Sequence, residues 1–170
     1  MRKIKLNVPE GIRFLSDWDG FFTSIPLDQH VILNKRLCGC GATEAFLRTD
    51  KKVILASPRK HLLFNKCSQH LNDNFHLFRF TGDKAKYFEG NEGKNEVEQY
   101  ENNLLDYVGN GGSKILTTYD SLGKIYEALH HPQDWIVVVD EFQAQFYDSH
   151  YKATTELQFA EVLKSFKSVI

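Results

Sequence analysis

Short, unbroken apolar runs are the feature that most limits what this chain can fold into. Two of them stand out, "KKVILASP" (Lys51–Pro58) and "DWIVVVDEFQ" (Asp134–Gln143), and each ends in polar or turn-forming residues. An apolar run of this length without polar alternation is typical of a strand that is buried on both faces, as strands of parallel sheets are. The two runs therefore predict a sheet that is covered by other elements on both sides.

Other segments extend the same pattern along the 170 residues. Further strands are predicted in "HVILNKR" (30–36), "NFHLFRF" (74–80), "SKILTT" (113–118) and the terminal "KSVI" (167–170). Segments with helical spacing separate them, in "TEAFLR", in residues 59–71, in "GKIYEALHH" and around residues 154–166. This alternation predicts one domain with a three-layer α/β/α fold and a mostly parallel central sheet.

Two regions lie outside that alternation. Residues 1–28 are irregular and rich in aromatic side chains, and we interpret them as an N-terminal segment that covers the core. Residues 81–112 are polar and acidic, with apolar side chains at helical spacing within "NEVEQYENNLLDYV". That spacing predicts an acidic surface helix inserted into the fold.

Composition narrows the class of protein. The formal net charge of -1 argues against a generally basic nucleic-acid-binding surface, although a local basic face is compatible with it. Cys38, Cys40 and Cys67 form an odd set with no secretory leader, which predicts reduced thiols and a cytoplasmic protein. No run approaches the roughly 18 apolar residues of a membrane span, so no membrane partner is expected.

The stretch "GCGATE" (Gly39–Glu44) is a candidate phosphate-binding loop. In parallel α/β folds ligands bind beyond the carboxyl ends of the strands, where this stretch is predicted to lie. Its glycines allow backbone N–H groups to converge on a phosphate, and Thr43 offers a hydroxyl for Mg²⁺. The pattern G-x-x-x-x-G-K-[ST] is incomplete, because Arg36 replaces its first glycine and Ala42 its lysine.

A pair of acids, Asp140 and Glu141, follows the run "IVVV" at the same predicted edge of the sheet. Carboxylates in this position suit a division of labour in which the first holds Mg²⁺ and the second orients or deprotonates an attacking water. Acids at a strand end are also common on solvated surfaces. The glycine loop and the acid pair together are more specific than either alone.

The order "GCGATE", "ILASPRK", "TTYDSL", "VVVDEFQ" resembles the first RecA-like domain of superfamily-two helicases of the DEAD/DEAH-box kind, over roughly Leu27 to Ile170. The resemblance implies ATP and Mg²⁺ as cofactors and DNA or RNA as a partner. It implies nucleotide contacts from residues of the loop, namely Gly39, Cys40, Gly41, Ala42, Thr43 and Glu44. Thr43 and Asp140 would hold the metal.

The same resemblance assigns the remaining roles. Glu141 would activate water, and Gln143 would couple the nucleotide site to nucleic-acid binding. Arg59, Thr117 and Thr118 would contact the nucleic-acid backbone. A second RecA-like domain is expected beyond Ile170, which makes the chain a fragment of a longer protein or a stand-alone remnant.

The missing lysine changes the expected activity. Losing one charge-assisted contact to a phosphate costs roughly 1.5–3 kcal/mol, and more in a transition state where charge accumulates. The expectation is therefore weak nucleotide binding with poor or absent hydrolysis, with Lys35 or Arg36 as local substitutes for the lysine. The alternative is a RecA-like scaffold or nucleic-acid-binding module that has lost nucleotide turnover.

Three further interpretations apply to individual residues. Cys38, Cys40, Cys67 and His70 could form a Cys₃His zinc site, but C-x-C spacing strains a tetrahedral site, and a core role for Cys67 is preferred. The aromatic side chains of Trp18, Phe21 and Phe22 could stack on a base; packing in or over the core is the preferred interpretation. For Cys40, a small residue that fits the loop is preferred over a reactive thiol.

Overall fold

A computed structural model describes residues 5–34, 39–70, 75–77, 104–142 and 149–170. The remaining residues include most of the acidic insert, and with it the greater part of the predicted helix in that insert. Among the described residues, no helix combines the length and the apolar character needed to cross a bilayer.

The described strands form one five-stranded sheet in which all neighbours are parallel. The strands are β1 (Val53–Ser57), β2 (Phe75–Leu77), β3 (Lys114–Thr118), β4 (Ile136–Val139) and β5 (Ser168–Val169). Their order across the sheet is β2-β3-β1-β4-β5. In the central strand, Val53 pairs with Lys114 on one side and with Ile136 on the other. The predicted parallel sheet is confirmed.

Helices cover both faces of this sheet. One face carries α1 (Phe21–Ser24), α2 (Ala42–Arg48) and α3 (Lys60–Gln69). The other carries α4, described over residues 104–109, together with α5 (Leu122–Ala128) and α6 (Ser149–Ser165). The predicted three-layer α/β/α fold is therefore confirmed, and it is consistent with the RecA-like type.

The two-sided burial of β1 explains its unbroken apolar sequence. Val53 and Leu55 pack into the core under α1, α2 and α3, while Ile54 and Ala56 pack into the core under α4, α5 and α6. All four are at most 2% exposed. Because successive side chains of a strand point to opposite faces, a strand between two helical layers needs apolar residues at every position.

The N-terminal aromatic residues belong to the core on the α2 side. Phe21 is fully buried, and its ring meets the ring of Phe46 edge-on, with centroids 5.7 Å apart. Trp18 and Phe22 pack against the same cluster. Their rings therefore contribute to packing, as the preferred interpretation of the sequence held.

The strand predicted at residues 30–36 is wrong over its described part. Residues 31–34 form no strand, and the sheet continues only through a single parallel bridge between His30 and Val169. The Val31 amide donates to the carbonyl oxygen of Val169 at 2.7 Å. Ile32 is 70% exposed, so this apolar run is not buried on both faces as a strand inside the sheet would be.

We expect substitution of Leu116 by Ala to lower the free energy of unfolding by about 2–5 kcal/mol, because this fully buried side chain would leave a cavity. Chemical denaturation followed by circular dichroism measures the change. Leu157→Ala is the matched control: that leucine is 70% exposed, and its loss should cost less than about 0.5 kcal/mol. Equal costs at the two positions would contradict the described core.

Candidate functional site

The glycine loop leads directly into α2. Gly39 and Gly41 have φ values of 70° and 79°, in the left-handed region that favours glycine. At Gly41 a side chain is also excluded by space, since a Cβ there would lie 2.9 Å from Cβ of Phe14. The Leu15 amide donates to the Cys40 carbonyl at 2.8 Å, so the loop is attached to the 3₁₀ turn Leu15–Asp17.

An open cleft of about 810 Å³ lies at this loop. The loop and the start of α2 form one wall, and side chains of the 3₁₀ turn and of α2 and α3 form the rest. The residues that line it are Phe14, Ser16, Asp17, Gly39, Cys40, Gly41, Ala42, Thr43, Glu44, Arg48, Lys66 and Gln69. All six residues of the predicted nucleotide-binding loop therefore contribute to one cleft.

Ala42 is the one buried residue among those that line the cleft. Ala42 is the first residue of α2 and is 5% exposed. Thr43 and Glu44 follow it in the first turn and are half-buried. The methyl group of Ala42 brings no positive charge to this turn, and the cationic side chains that line the cleft are those of Arg48 and Lys66.

Glu44 is the centre of a charge network. Its carboxylate accepts a hydrogen bond from Nε of Arg48 at 2.9 Å and contacts Nζ of Lys66 at 3.2 Å and Nε2 of His70 at 3.1 Å. Arg48 also reaches Asp17, at 3.9 Å. Glu44 and Arg48 have the i,i+4 spacing that brings two side chains together on one helix. Lys66 and His70 lie after β1 in the chain and are brought to Glu44 by the packing of α3.

These contacts set the ionisation of Glu44. Burial alone raises the pKa of its carboxyl group, but the hydrogen bonds to His70 and Lys66 and their positive charges outweigh burial. The pKa is consequently lower than its ordinary value of 4.5. The carboxylate is therefore ionised at neutral pH and holds the basic side chains beside the glycine loop.

The second candidate group lies where β4 ends. The Asp140 amide donates to the Ala56 carbonyl at 2.9 Å, and the Tyr119 hydroxyl donates to the Asp140 carbonyl. Burial, together with the negative charges of Asp140 and Glu141, raises the pKa of Tyr119, so this hydroxyl stays protonated as a donor. Tyr119 was not identified from the sequence; it fixes the backbone from which the acid pair projects.

Glu141 has an unusual backbone and a basic partner. Its φ of 56° places it in the left-handed region, alone among the described residues other than glycine. Its Oε2 lies 3.5 Å from Nε of Arg59, which follows β1. The structure therefore brings together two residues to which the sequence assigned different ligands, water for Glu141 and nucleic acid for Arg59.

The two threonines at the end of β3 differ. Thr118 is half-buried, and its hydroxyl lies 3.2 Å from that of Ser121. Thr117 is fully buried, and its hydroxyl donates to the Thr118 carbonyl at 3.3 Å. A side chain without exposed surface does not reach a nucleic-acid backbone, so Thr117 is left out of the candidate nucleic-acid surface.

The remaining predicted residues are distributed as follows. Asp140 and Glu141 are not among the described residues that line the cleft at the glycine loop. Gln143 and Cys38 lie outside the described residues, as do the expected substitute cations Lys35 and Arg36. Cys67 packs against the core on the α2 side. Within the described ranges, no three side chains of His, Cys, Asp or Glu are grouped as metal ligands.

We expect Glu44→Gln to lower the free energy of unfolding by about 1–2 kcal/mol at neutral pH, because it removes a carboxylate with several charged partners. Since the pKa of Glu44 is lowered on folding, its contribution is present above pH 4.5 and is lost as pH falls through the lower, folded value. The difference between Glu44→Gln and the unsubstituted protein should therefore shrink below pH 4.5. Denaturation across this range measures it.

Glu161→Gln is the control for this prediction, because Glu161 also pairs with a lysine but is 70% exposed. Its removal should change stability by less than about 0.5 kcal/mol at any pH. A Glu44→Gln effect that stays constant down to acid pH would contradict the role given to the charge network.

Comparison with known proteins adds no assignment to this geometry. No protein-family model matches the chain, and no significant match is found among curated proteins or among solved structures. The function must therefore be argued from the cleft, the charge network and the acid pair.

Proposed function

We propose that this chain is the nucleotide-binding domain of a helicase-type or translocase-type protein, with ATP at the glycine loop and nucleic acid at the ends of β1 and β3. One observation carries the proposal: Gly39 and Gly41, both with left-handed backbone, lead into α2 beside a cleft that also contains Arg48 and Lys66. A loop of this kind suits a polyphosphate, because backbone N–H groups and cations can converge on it.

The residues present fit such a ligand. A Cβ added at Gly39 would meet no atom of the described residues within 4 Å, which leaves space on that side of the loop. A cleft of about 810 Å³ is within the usual range for small-molecule and cofactor sites, roughly 300–1,000 Å³. Thr43 lines the cleft and would offer its hydroxyl to Mg²⁺, whereas Asp140, which lies after β4 and not in the lining of the cleft, would have to supply its carboxylate from there.

Turnover is proposed to be slow or absent. Mg²⁺, when bound, would neutralise developing phosphate charge. Glu141 is the residue that would accept a proton from water, but its carboxylate is paired with Arg59. Ala42, at the start of α2, would supply no charge to the transition state.

The nucleic-acid part of the proposal rests on the edge formed by β1 and β3. Ser57 and Thr118, at the ends of these strands, are paired in register. Arg59 follows Ser57 by two residues and is 60% exposed. A guanidinium and a hydroxyl at one sheet edge are suitable donors for backbone phosphates of DNA or RNA.

The second candidate function is a RecA-like scaffold or nucleic-acid-binding module without nucleotide turnover. The burial of Ala42 favours it, as does Glu44, whose carboxylate offsets part of the positive charge in the cleft. A chain of this kind would keep the nucleic-acid edge and would not bind ATP.

Binding of Mg²⁺·ATP tests the first candidate. We expect weak but saturable binding by calorimetry or with a fluorescent ATP analogue, and we expect Asp140→Ala to weaken it about tenfold or more through loss of a metal ligand. Asp134→Ala is the matched control, because Asp134 precedes β4 whereas Asp140 follows it. Absence of ATP binding, or equal effects of the two variants, would favour the scaffold.

Binding of a labelled single-stranded oligonucleotide tests the nucleic-acid edge. We expect Arg59→Gln to weaken it about three- to tenfold at low salt, because one phosphate contact is lost. Lys164→Gln is the control: like Arg59, Lys164 is an exposed cation paired with one glutamate, but it lies on α6. If both variants bind equally well, the sheet edge is not the nucleic-acid surface.

A further inference from the structure

The cleft contains two cations that could replace the charge missing at position 42. Both Arg48 and Lys66 line it, and both contact the carboxylate of Glu44. Neither was identified from the sequence as a ligand, because Arg48 lies at the far end of α2 and Lys66 on a different helix. The two differ in how well they can serve a bound phosphate.

Arg48 is the weaker candidate. Its guanidinium is shared between Glu44 and Asp17, at 2.9 Å and 3.9 Å, and its side chain is 58% exposed. Two carboxylates already offset its charge, and solvent screens what remains. An incoming phosphate would therefore compete with both acids for a well-solvated group.

Lys66 is the better candidate, because it has fewer carboxylate partners and is less exposed to solvent. Its side chain is 29% exposed, and Glu44 is its one carboxylate partner among the ion pairs of the described residues. Glu44 would not be left unpaired if Lys66 moved, because Nε of Arg48 at 2.9 Å and Nε2 of His70 at 3.1 Å remain beside it. Breaking a partly buried ion pair is usually costly because one charge is left without a partner. That cost is reduced here, because Glu44 keeps its other partners.

We propose that Lys66 is a phosphate-binding residue that neutralises the terminal phosphates of a nucleoside triphosphate held at Gly39–Thr43. The assignment rests on the proposed nucleotide-binding function and replaces Lys35 and Arg36 as the source of the missing charge. Glu44 acts as a positioning residue: it holds Nζ of Lys66 beside the first turn of α2 and releases it to the ligand.

Mg²⁺·ATP and AMP, titrated against the same set of variants, test this assignment. Lys66→Gln should weaken Mg²⁺·ATP binding about tenfold or more, since a charge-assisted contact is lost, and should leave AMP binding within about twofold. Lys60→Gln is the matched control, an exposed lysine on the same helix that does not line the cleft. Lys66→Arg should recover part of the ATP affinity.

A purely structural role for Lys66 would give a different result. Lys66→Gln would then lower the melting temperature through loss of the Glu44 ion pair while ATP affinity stayed equal to that of Lys60→Gln, which would overturn the proposal. An Ala42→Lys background supplies a second measurement. If Lys66 supplies the charge missing at position 42, Lys66→Gln should weaken Mg²⁺·ATP binding less in this background than in the unsubstituted protein. An equal loss of affinity in the two backgrounds would overturn the proposal.

The outcomes separate this inference from the function on which it depends. If the unsubstituted protein binds ATP and Asp140→Ala weakens binding, but Lys66→Gln does not, the nucleotide site stands and the inference about Lys66 fails. If the unsubstituted protein binds no Mg²⁺·ATP, the nucleotide-binding function fails, and the role of Lys66 fails with it.

Discussion

The parallel hydrogen bonding of β1 to both β3 and β4 is the constraint on which the rest of the structure depends. A strand in this central position has no free edge and, between two helical layers, no free face. Its register with both neighbours determines which residues follow the three strands at one edge of the sheet. The Asp140 amide, bound to the Ala56 carbonyl, continues that pairing beyond β4 and fixes where the acid pair begins.

The cleft at the glycine loop depends on a different kind of force. There the backbone is shaped by two left-handed glycines, and the side chains are organised by one ionised carboxylate, Glu44, with three basic neighbours. In the proposed phosphate site, the Glu44 carboxylate would reduce the affinity for an anion. Its contacts with Arg48 and Lys66 would also hold these long side chains in place before a ligand binds, which would lower the entropy cost of binding. The same residue would then affect both affinity and preorganisation.

The sequence predicted those parts of the fold that depend on local pattern. The runs that form β1 and β4 were identified because burial on both faces leaves a continuous apolar signal. The strand predicted after His30 is wrong over residues 31–34, because its apolar residues are not all buried: Ile32 is 70% exposed, and the pairing consists of one bridge between His30 and Val169. An apolar run in the sequence indicates that a strand is possible, but whether it forms depends on pairing with a neighbouring strand.

In the candidate site, too, the local sequence pattern predicted some residues, whereas others depend on tertiary packing. Gly39, Gly41 and Thr43 were found from spacing along the chain, and the structure places them in one cleft. Lys66 and His70 were not found as partners of Glu44, because the packing of α3 brings them there. The burial of Thr117 was likewise invisible, since adjacent threonines at a strand end look alike in sequence although only one points into the core.

The strand order also has a consequence for how the chain acquires its structure. β1 precedes both of its neighbours in the chain. Its Val53 can pair only after Lys114 of β3 and Ile136 of β4 have been synthesised. Contacts between strands that lie so far apart in the chain are slow to form. Until they form, β1 is an apolar strand with unpaired edges, which is prone to pair with other chains. During synthesis on a ribosome, "VILAS" would therefore remain exposed until most of the domain had emerged. That interval, rather than the finished fold, is when β1 would be most open to pairing with another chain.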